Sequence, residues 1–157
     1  MTAFVVRVAA YLALGLGAGA PARANGAATR FFGDWIYRAG TTTRACPGER
    51  PTDAPPEGGV VIAAGPAAGG LTVTEPGACA LSFTSSGNVA TAVAGQTCAG
   101  SDGGGGLITF TEMTWTLTLS SDGQTLSESL SAREALAPAR GPARTCAYTE
   151  TGVTLRR

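Results

Sequence analysis

The chain contains no histidine and no lysine, and all 11 of its basic residues are arginine. Without histidine there is no Ser-His or Cys-His nucleophile pair and no imidazole metal ligand. Without lysine there is no phosphate-loop lysine and no Schiff base. We therefore expect a protein that is not an enzyme and that uses no cofactor and no metal ion.

Charge is also scarce, since only 14% of the residues are charged and the 11 basic and 11 acidic residues balance. No basic cluster is present, so we expect no nucleic-acid partner. The acidic residues are scattered, which argues against a calcium cage. Glu112 and Glu128 are the acids of one predicted hairpin, but its pairing does not place them opposite each other as a glycosidase pair requires.

The N-terminal segment has the form of a secretory signal peptide. Arg7 precedes a weakly apolar run of 13 residues, 8–20, and Ala22-Arg23-Ala24 provides the small residues that signal peptidase needs. We predict cleavage after Ala24, which gives a signal peptide at 1–24 and a single domain at 25–157. The apolar run is shorter than the roughly 20 residues of a membrane span, so we expect a secreted or periplasmic protein without a membrane anchor.

Four cysteines follow this segment: Cys46, Cys79, Cys98 and Cys146. An even number of cysteines after an export signal predicts two disulfides. Zinc sites use closely spaced cysteine pairs, whereas the separations here are 33, 19 and 48 residues. We therefore interpret the cysteines as structural disulfides and not as metal ligands.

Short β-strands separated by turns fill the rest of the sequence, and no helix-length amphipathic pattern is present. Aromatic and β-branched residues and an apolar–polar alternation are typical of strands. Glycine- and proline-rich segments divide one strand from the next. The predicted strands are 31–37, 60–63, 71–74, 79–84, 89–93, 107–119 and one or two within 145–155.

The longest strand pattern predicts a β-hairpin with a defined register. Asp122-Gly123 is typical of a two-residue type I′ turn, and such a turn pairs Trp115 with Leu130. A change in the phase of the apolar residues predicts a β-bulge near Thr111-Glu112. The capping pair at 131–134 predicts one short helical turn.

Together these patterns predict an all-β fold of about eight strands. Successive hairpins favour an antiparallel meander that closes into a small up-and-down barrel, with a two-sheet sandwich as the alternative. Cys79 and Cys98 flank one predicted hairpin, which brings them together. In a closed barrel the first and last strands are neighbours, so we predict that Cys46 pairs with Cys146.

Gly33-Asp34-Trp35, at the start of the first strand, resembles the Gly-x-Trp motif of lipocalins and related calycin barrels. In that family the motif lies near the mature N-terminus, and its tryptophan closes one end of the barrel. The resemblance covers about three residues, and the Thr-Asp-Tyr-type segment of lipocalins is not found here. It implies a barrel that holds a small apolar ligand or a partner's peptide, and it transfers no ligand-contact residue.

The candidate ligand-binding residues are Trp35 and Tyr37 on the first strand and Met113 and Trp115 on the long strand. Aromatic side chains on one strand face can form a pocket wall, although they can equally be core. The first hypothesis is a non-enzymatic exported module that binds a small apolar ligand. The second is a protein-binding or inhibitory module that acts on an exported partner through the loops 47–59 or 99–106. A hydrolase is the third and weakest.

Overall fold

Antiparallel β-strands make up nearly all the regular structure of the chain. The computed structural model describes residues 26–75, 79–101 and 105–157, so the predicted signal peptide at 1–24 lies outside the described residues. A short 3-10 helix, Ala28–Phe31, precedes the strands. The strands are β1 (Gly33–Ala45), β2 (Thr52–Ala54), β3 (Gly59–Ala64), β4 (Gly70–Thr74), β5 (Ala80–Ser86), β6 (Val89–Ala92), β7 (Cys98–Ser101), β8 (Leu107–Leu119), β9 (Thr125–Ala137) and β10 (Arg144–Arg156).

Eight of these strands close into a barrel. Each of β1, β3, β4, β5, β6, β8, β9 and β10 pairs antiparallel with the next one, and β10 returns to β1. The closing seam runs in register from Trp35 opposite Arg156 to Ala45 opposite Ala147, with one shift between Tyr37 and Ala39. The predicted closed meander is confirmed, and the sandwich alternative is excluded because the sheet closes on itself.

The barrel is longer on one side than on the other. β1, β8, β9 and β10 have 13 residues each, whereas β3 to β6 are much shorter. β1 pairs with β3 only up to Ile36 opposite Gly59. Beyond that point β1 pairs with β2, and the corresponding half of β8 pairs with β7. We call this end, where the short strands have already ended, the open end.

The opposite end is closed by the 3-10 helix. Phe31 is fully buried, and Trp35 is only 1% exposed. The Trp35 indole Nε1 donates to the Phe31 carbonyl over 2.8 Å, and the Arg156 guanidinium lies 4.7 Å from the Trp35 ring centre. Trp35 therefore plugs this end. The adjoining core contains Val60, Ile62, Leu71, Val73, Phe83, Ala90, Leu117, Leu119 and Leu126.

The predicted long hairpin is confirmed in register, but its predicted type I′ turn is wrong, because only Gly123 of the Asp122-Gly123 pair has a positive φ and the Gly123 amide donates to the Ser120 carbonyl. Trp115 lies opposite Leu130, and the register shifts between Thr111 and Thr114, where Glu112 has a positive φ of 50°. The helical turn predicted at 131–134 is wrong, because β9 continues as a strand through this segment. There it is hydrogen-bonded to a neighbour on each side, and two flanking strands satisfy more backbone groups than one isolated helical turn.

Both predicted disulfides are confirmed. Cys79 pairs with Cys98 across a separation of 19 residues, and Cys46 pairs with Cys146 across 100 residues. The second bridge directly follows the Ala45–Ala147 pair, so it fastens the closing seam at the open end. Two disulfides indicate an oxidising, extracellular-type compartment. Among the described residues, no helix reaches the length and hydropathy that crossing a bilayer requires.

Candidate functional site

The four predicted ligand-binding residues divide between the two ends of the barrel. Trp35 belongs to the closed end, while Tyr37, Met113 and Trp115 are directed toward the open end. Met113 and Trp115 line one cavity there, and Tyr37 lines a second. Trp35 and Tyr37 also line a third cavity, of about 460 Å³, on the outer side of β1 and β3 toward the closed end. The structure thus places Met113 with Trp115, and Tyr37 with Trp35, and no single cavity is lined by all four.

The first cavity is small and mainly apolar. It has a volume of about 30 Å³. The Trp115 ring packs edge-on against Phe83 at 5.4 Å between ring centres, and Phe110 packs against Tyr148 at 5.0 Å. Its wall is formed by Glu75, Leu81, Phe110, Met113, Trp115, Leu130, Tyr148 and the Cys79–Cys98 disulfide.

The second cavity opens where β1 and β3 separate. It has a volume of about 240 Å³. At this point the Tyr37 amide of β1 donates a hydrogen bond to the Gly58 carbonyl, just before β3, over 3.2 Å. Glu75 and Tyr148 line both cavities, which therefore adjoin, and we call them together the mouth site. The wall of the second cavity is formed by Tyr37, Thr42, Pro55, Pro56, Glu57, Gly58, Gly59, Glu75, Tyr148 and Glu150.

Four glutamates lie buried or half-buried near this site, and none of them is among the candidate residues predicted from the sequence. Glu134 is fully buried, Glu150 is 5% exposed and Glu128 is 7% exposed. Glu75, just after β4, is half-buried. Carboxylates in such positions require hydrogen bonds or counter-charges, because burial removes the water that stabilises the ionised form.

One of these glutamates has a full ionic partner. Arg44 donates through Nε and Nη2 to the two carboxylate oxygens of Glu134, both at 2.5 Å. This bidentate pair accounts for the charge of Glu134. No arginine in the described part of the chain forms an ion pair with Glu75, Glu128 or Glu150.

The other glutamates are held by neutral donors. Trp115 Nε1 donates to Glu128 Oε2 over 3.2 Å, and the Tyr148 hydroxyl donates to Glu150 Oε2. The Tyr37 hydroxyl and Glu128 Oε1 are both buried, and this hydroxyl is the donor that faces the Glu128 carboxyl. The site therefore combines three carboxyl groups without counter-charge with neutral donors from Tyr37, Trp115 and Tyr148.

The electrostatic environment favours the protonated carboxyls. Burial is the main cause that raises the pKa of Glu128 to about 8, and the neighbouring Glu150 adds to it. Burial and the charge of Glu150 likewise raise the pKa of Glu75 to about 7. Burial and the adjacent glutamates raise the pKa of Tyr37 and of Tyr148, which stay neutral.

The apolar–polar alternation along the strands indicates that two of these glutamates, Glu128 and Glu150, face the barrel interior. Glu128 shares its parity with Leu126 and Leu130, so it must face inward wherever those leucines do. Glu150 shares its parity with Cys146 in the same way. Glu75 lies at a strand end, where no alternation indicates the direction of its side chain.

Comparison of the chain with protein-family models, with curated proteins and with solved structures finds no match. The eight-stranded antiparallel barrel is compatible with the lipocalin-like barrel that Gly33-Asp34-Trp35 implies and does not by itself establish that family. Within the described ranges, no group of three or more cysteine, aspartate or glutamate side chains is arranged to hold a metal ion.

The position of Trp35 makes it a residue of the core, and a conservative substitution tests this. Trp35→Phe removes the bond to the Phe31 carbonyl and part of the ring volume, and we expect it to lower the free energy of unfolding by about 2 kcal/mol. Urea denaturation measures this loss. Ligand affinity at the mouth site should change less than twofold, whereas a large loss of affinity with unchanged stability would place Trp35 in the site.

Proposed function

We propose that the protein is an exported, non-enzymatic binding module that holds a small ligand in the mouth site. The observation that carries the proposal is the convergence of Tyr37, Met113 and Trp115 on two adjoining cavities at one end of a closed barrel. Concave sites with apolar and aromatic walls and a few polar groups are the usual form of small-molecule sites. The predicted signal peptide and the two disulfides support export.

The dimensions of the site support a small molecule over a protein segment. The larger cavity has about 240 Å³, and an apolar cavity of about 150 Å³ is sufficient for benzene. Leu81, Met113 and Trp115 offer an apolar surface on one side. Binding there would be comparable to the ligand binding that the likeness to lipocalins implies, with one end plugged by Trp35 and the other open.

The barrel frame also supports a fixed binding geometry. Tyr37, Met113, Trp115, Tyr148 and Glu150 lie on the long strands β1, β8 and β10 of the closed barrel, and the two disulfides lie near the open end. A rigid frame lowers the ordering cost that a ligand must offset. The site needs no nucleophile or general base to perform this role.

Native mass spectrometry of the protein purified from its exported fraction tests the proposal. We expect a polypeptide that starts at Asn25, is lighter by four hydrogens for two disulfides, and carries a non-covalent small molecule that is lost on denaturation. A bare protein that binds no small molecule but retains an exported protein partner would contradict the proposal. That result would favour the loop-mediated alternative through residues 47–59.

A further inference from the structure

A separate cavity of about 500 Å³ lies at the tip of the open end. The register of the sheet forms its floor, because Ile108 lies opposite Leu136 and Leu136 lies opposite Arg144. These side chains therefore stand next to one another on one face of β8, β9 and β10. The loop 138–143, which joins β9 to β10, provides part of the wall. We call this cavity the rim site, and its main side chains are Arg44, Leu107, Ile108, Leu136, Arg140 and Arg144.

The rim site carries one positive charge that the protein does not balance. Arg44 pairs with Glu134, and Arg144 pairs with Glu49. Arg140 forms neither an ion pair nor a side-chain hydrogen bond within the described ranges. Three guanidinium groups therefore meet two carboxylates at this cavity. The whole chain has equal numbers of basic and acidic residues, so the excess of positive charge is local to the rim site.

The arginines of the rim site also keep hydrogen-bond donors for a ligand. A guanidinium group has five N–H donors. Arg44 uses Nε and Nη2 on Glu134, and Arg144 uses Nη1 on Glu49. All the donors of Arg140 are available, since no described residue accepts from them. A carboxylate accepts two parallel bonds from one guanidinium group, so it is the anion that this planar donor pattern fits best.

Apolar side chains cover the part of the rim site that the arginines do not. Leu107 is 52% exposed, the highest value of any large hydrophobic side chain in the described part of the chain. Ile108 and Leu136 beside it are half-buried, and Pro138 and Pro142 contribute from the loop. An apolar ligand that covers this surface removes it from water. The volume also lies in the range of about 300–1,000 Å³ that is usual for small-molecule sites.

We propose that the rim site binds a small organic monocarboxylate with an apolar body, whose carboxylate is bound by Arg140 and whose body lies against Leu107 and Ile108. One negative charge matches the one positive charge in excess, whereas a phosphate monoester carries up to about two. A neutral ligand leaves Arg140 without a counter-charge, and a cation is repelled. The proposal goes beyond the proposed function, because no residue of the rim site lines either cavity of the mouth site.

Isothermal titration with three probes tests the proposal. 3-Phenylpropionate has both the carboxylate and an apolar body, 3-phenylpropanamide replaces the carboxylate with a neutral amide of nearly equal shape, and acetate lacks the apolar body. At about pH 7 and low salt, we expect 3-phenylpropionate to bind at least about tenfold more tightly than either of the others. Arg140→Gln should weaken its binding about tenfold and change the binding of the amide less than twofold.

Two further variants show where the probe binds. Arg133→Gln is the matched control, because Arg133 is another exposed arginine but lies on the outer face of β9, where it pairs with Glu112. This variant should change the affinity of none of the probes. Leu107→Ser should weaken both phenyl probes about threefold and leave acetate unchanged. Arg140 and Leu107 are exposed, so the variants should keep the fold, and circular dichroism checks that they do.

The outcomes separate this proposal from the proposed function. If the amide or acetate binds as tightly as 3-phenylpropionate, the proposal is wrong, because the charge or the apolar body contributes nothing. Tighter binding of inorganic phosphate than of 3-phenylpropionate would also overturn it. If Arg140→Gln leaves 3-phenylpropionate binding unchanged, the probe binds elsewhere and the rim site is not its site. If no probe binds, the proposal is wrong while the proposed function stands, since that function depends on the mouth site.

Discussion

Replacing Cys46 and Cys146 together with alanine is expected to lower the free energy of unfolding by about 4–5 kcal/mol. The bridge links residues 100 positions apart, and a cross-link over a loop of that length restricts the unfolded chain by about 4.7 kcal/mol in the chain-entropy model. It also follows directly on the seam between β1 and β10, the one pairing that joins the two ends of the chain. Urea denaturation of the oxidised proteins measures the loss.

The second disulfide supplies the matched control for this prediction. Cys79 and Cys98 are 19 residues apart, and the same model gives about 3 kcal/mol for a loop of that size. The Cys79→Ala, Cys98→Ala protein should therefore be the more stable of the two double variants. An equal or greater loss for this pair would show that closure of the β1–β10 seam does not depend on the Cys46–Cys146 bridge.

The architecture could be predicted because its determinants are local. Alternation fixes which face of a strand is apolar, and Asp122-Gly123 fixes the register of β8 on β9, from which Trp115 opposite Leu130 follows. Consecutive hairpins leave few topologies other than a meander. Once the meander closes, the pairing of Cys46 with Cys146 follows from the antiparallel neighbourhood of β1 and β10.

The chemistry of the mouth site could not be predicted in the same way. Scattered glutamates on separate strands look like surface residues, and an inward glutamate contradicts the usual apolar pattern of a small barrel interior. Three-dimensional closure brings Glu75, which follows β4, close to Glu128 of β9 and Glu150 of β10. Functional sites are where a residue type is expected to disagree with the pattern that the fold otherwise follows.

The structure also explains why Trp35 and Tyr37 differ although they share a strand face. Trp35 lies where β1 is flanked by both β3 and β10, beneath the 3-10 helix that covers the closed end. Tyr37 lies two residues further on, where β3 leaves β1 and the cavity opens. The boundary between core and site is thus set by the length of β3, which begins only at Gly59.

Stability of the ligand-free protein is expected to fall by on the order of 6 kcal/mol between about pH 5 and pH 8.5. The folded state raises the pKa of Glu75 to about 7 and of Glu128 to about 8, from an ordinary value of 4.5. Between these limits the folded protein binds more protons than the unfolded chain. The stabilisation is therefore complete below about pH 4.5 and is lost as the pH rises through 7–8. The chain has no histidine to obscure this slope.

The Glu128→Gln variant tests whether Glu128 is the main source of this decrease in stability with pH. The amide keeps the size of the carboxyl and can still accept from Trp115 Nε1, but it cannot ionise. We expect the variant to be more stable than the wild type at pH 8.5 and to lose most of the pH dependence in urea denaturation of refolded protein. Glu112→Gln, an exposed substitution on β8, should retain the wild-type slope.

A wild-type stability that is flat or rises from pH 5 to 8.5 would mean that Glu75 and Glu128 are already ionised in the fold. In that case the barrel itself compensates their charge.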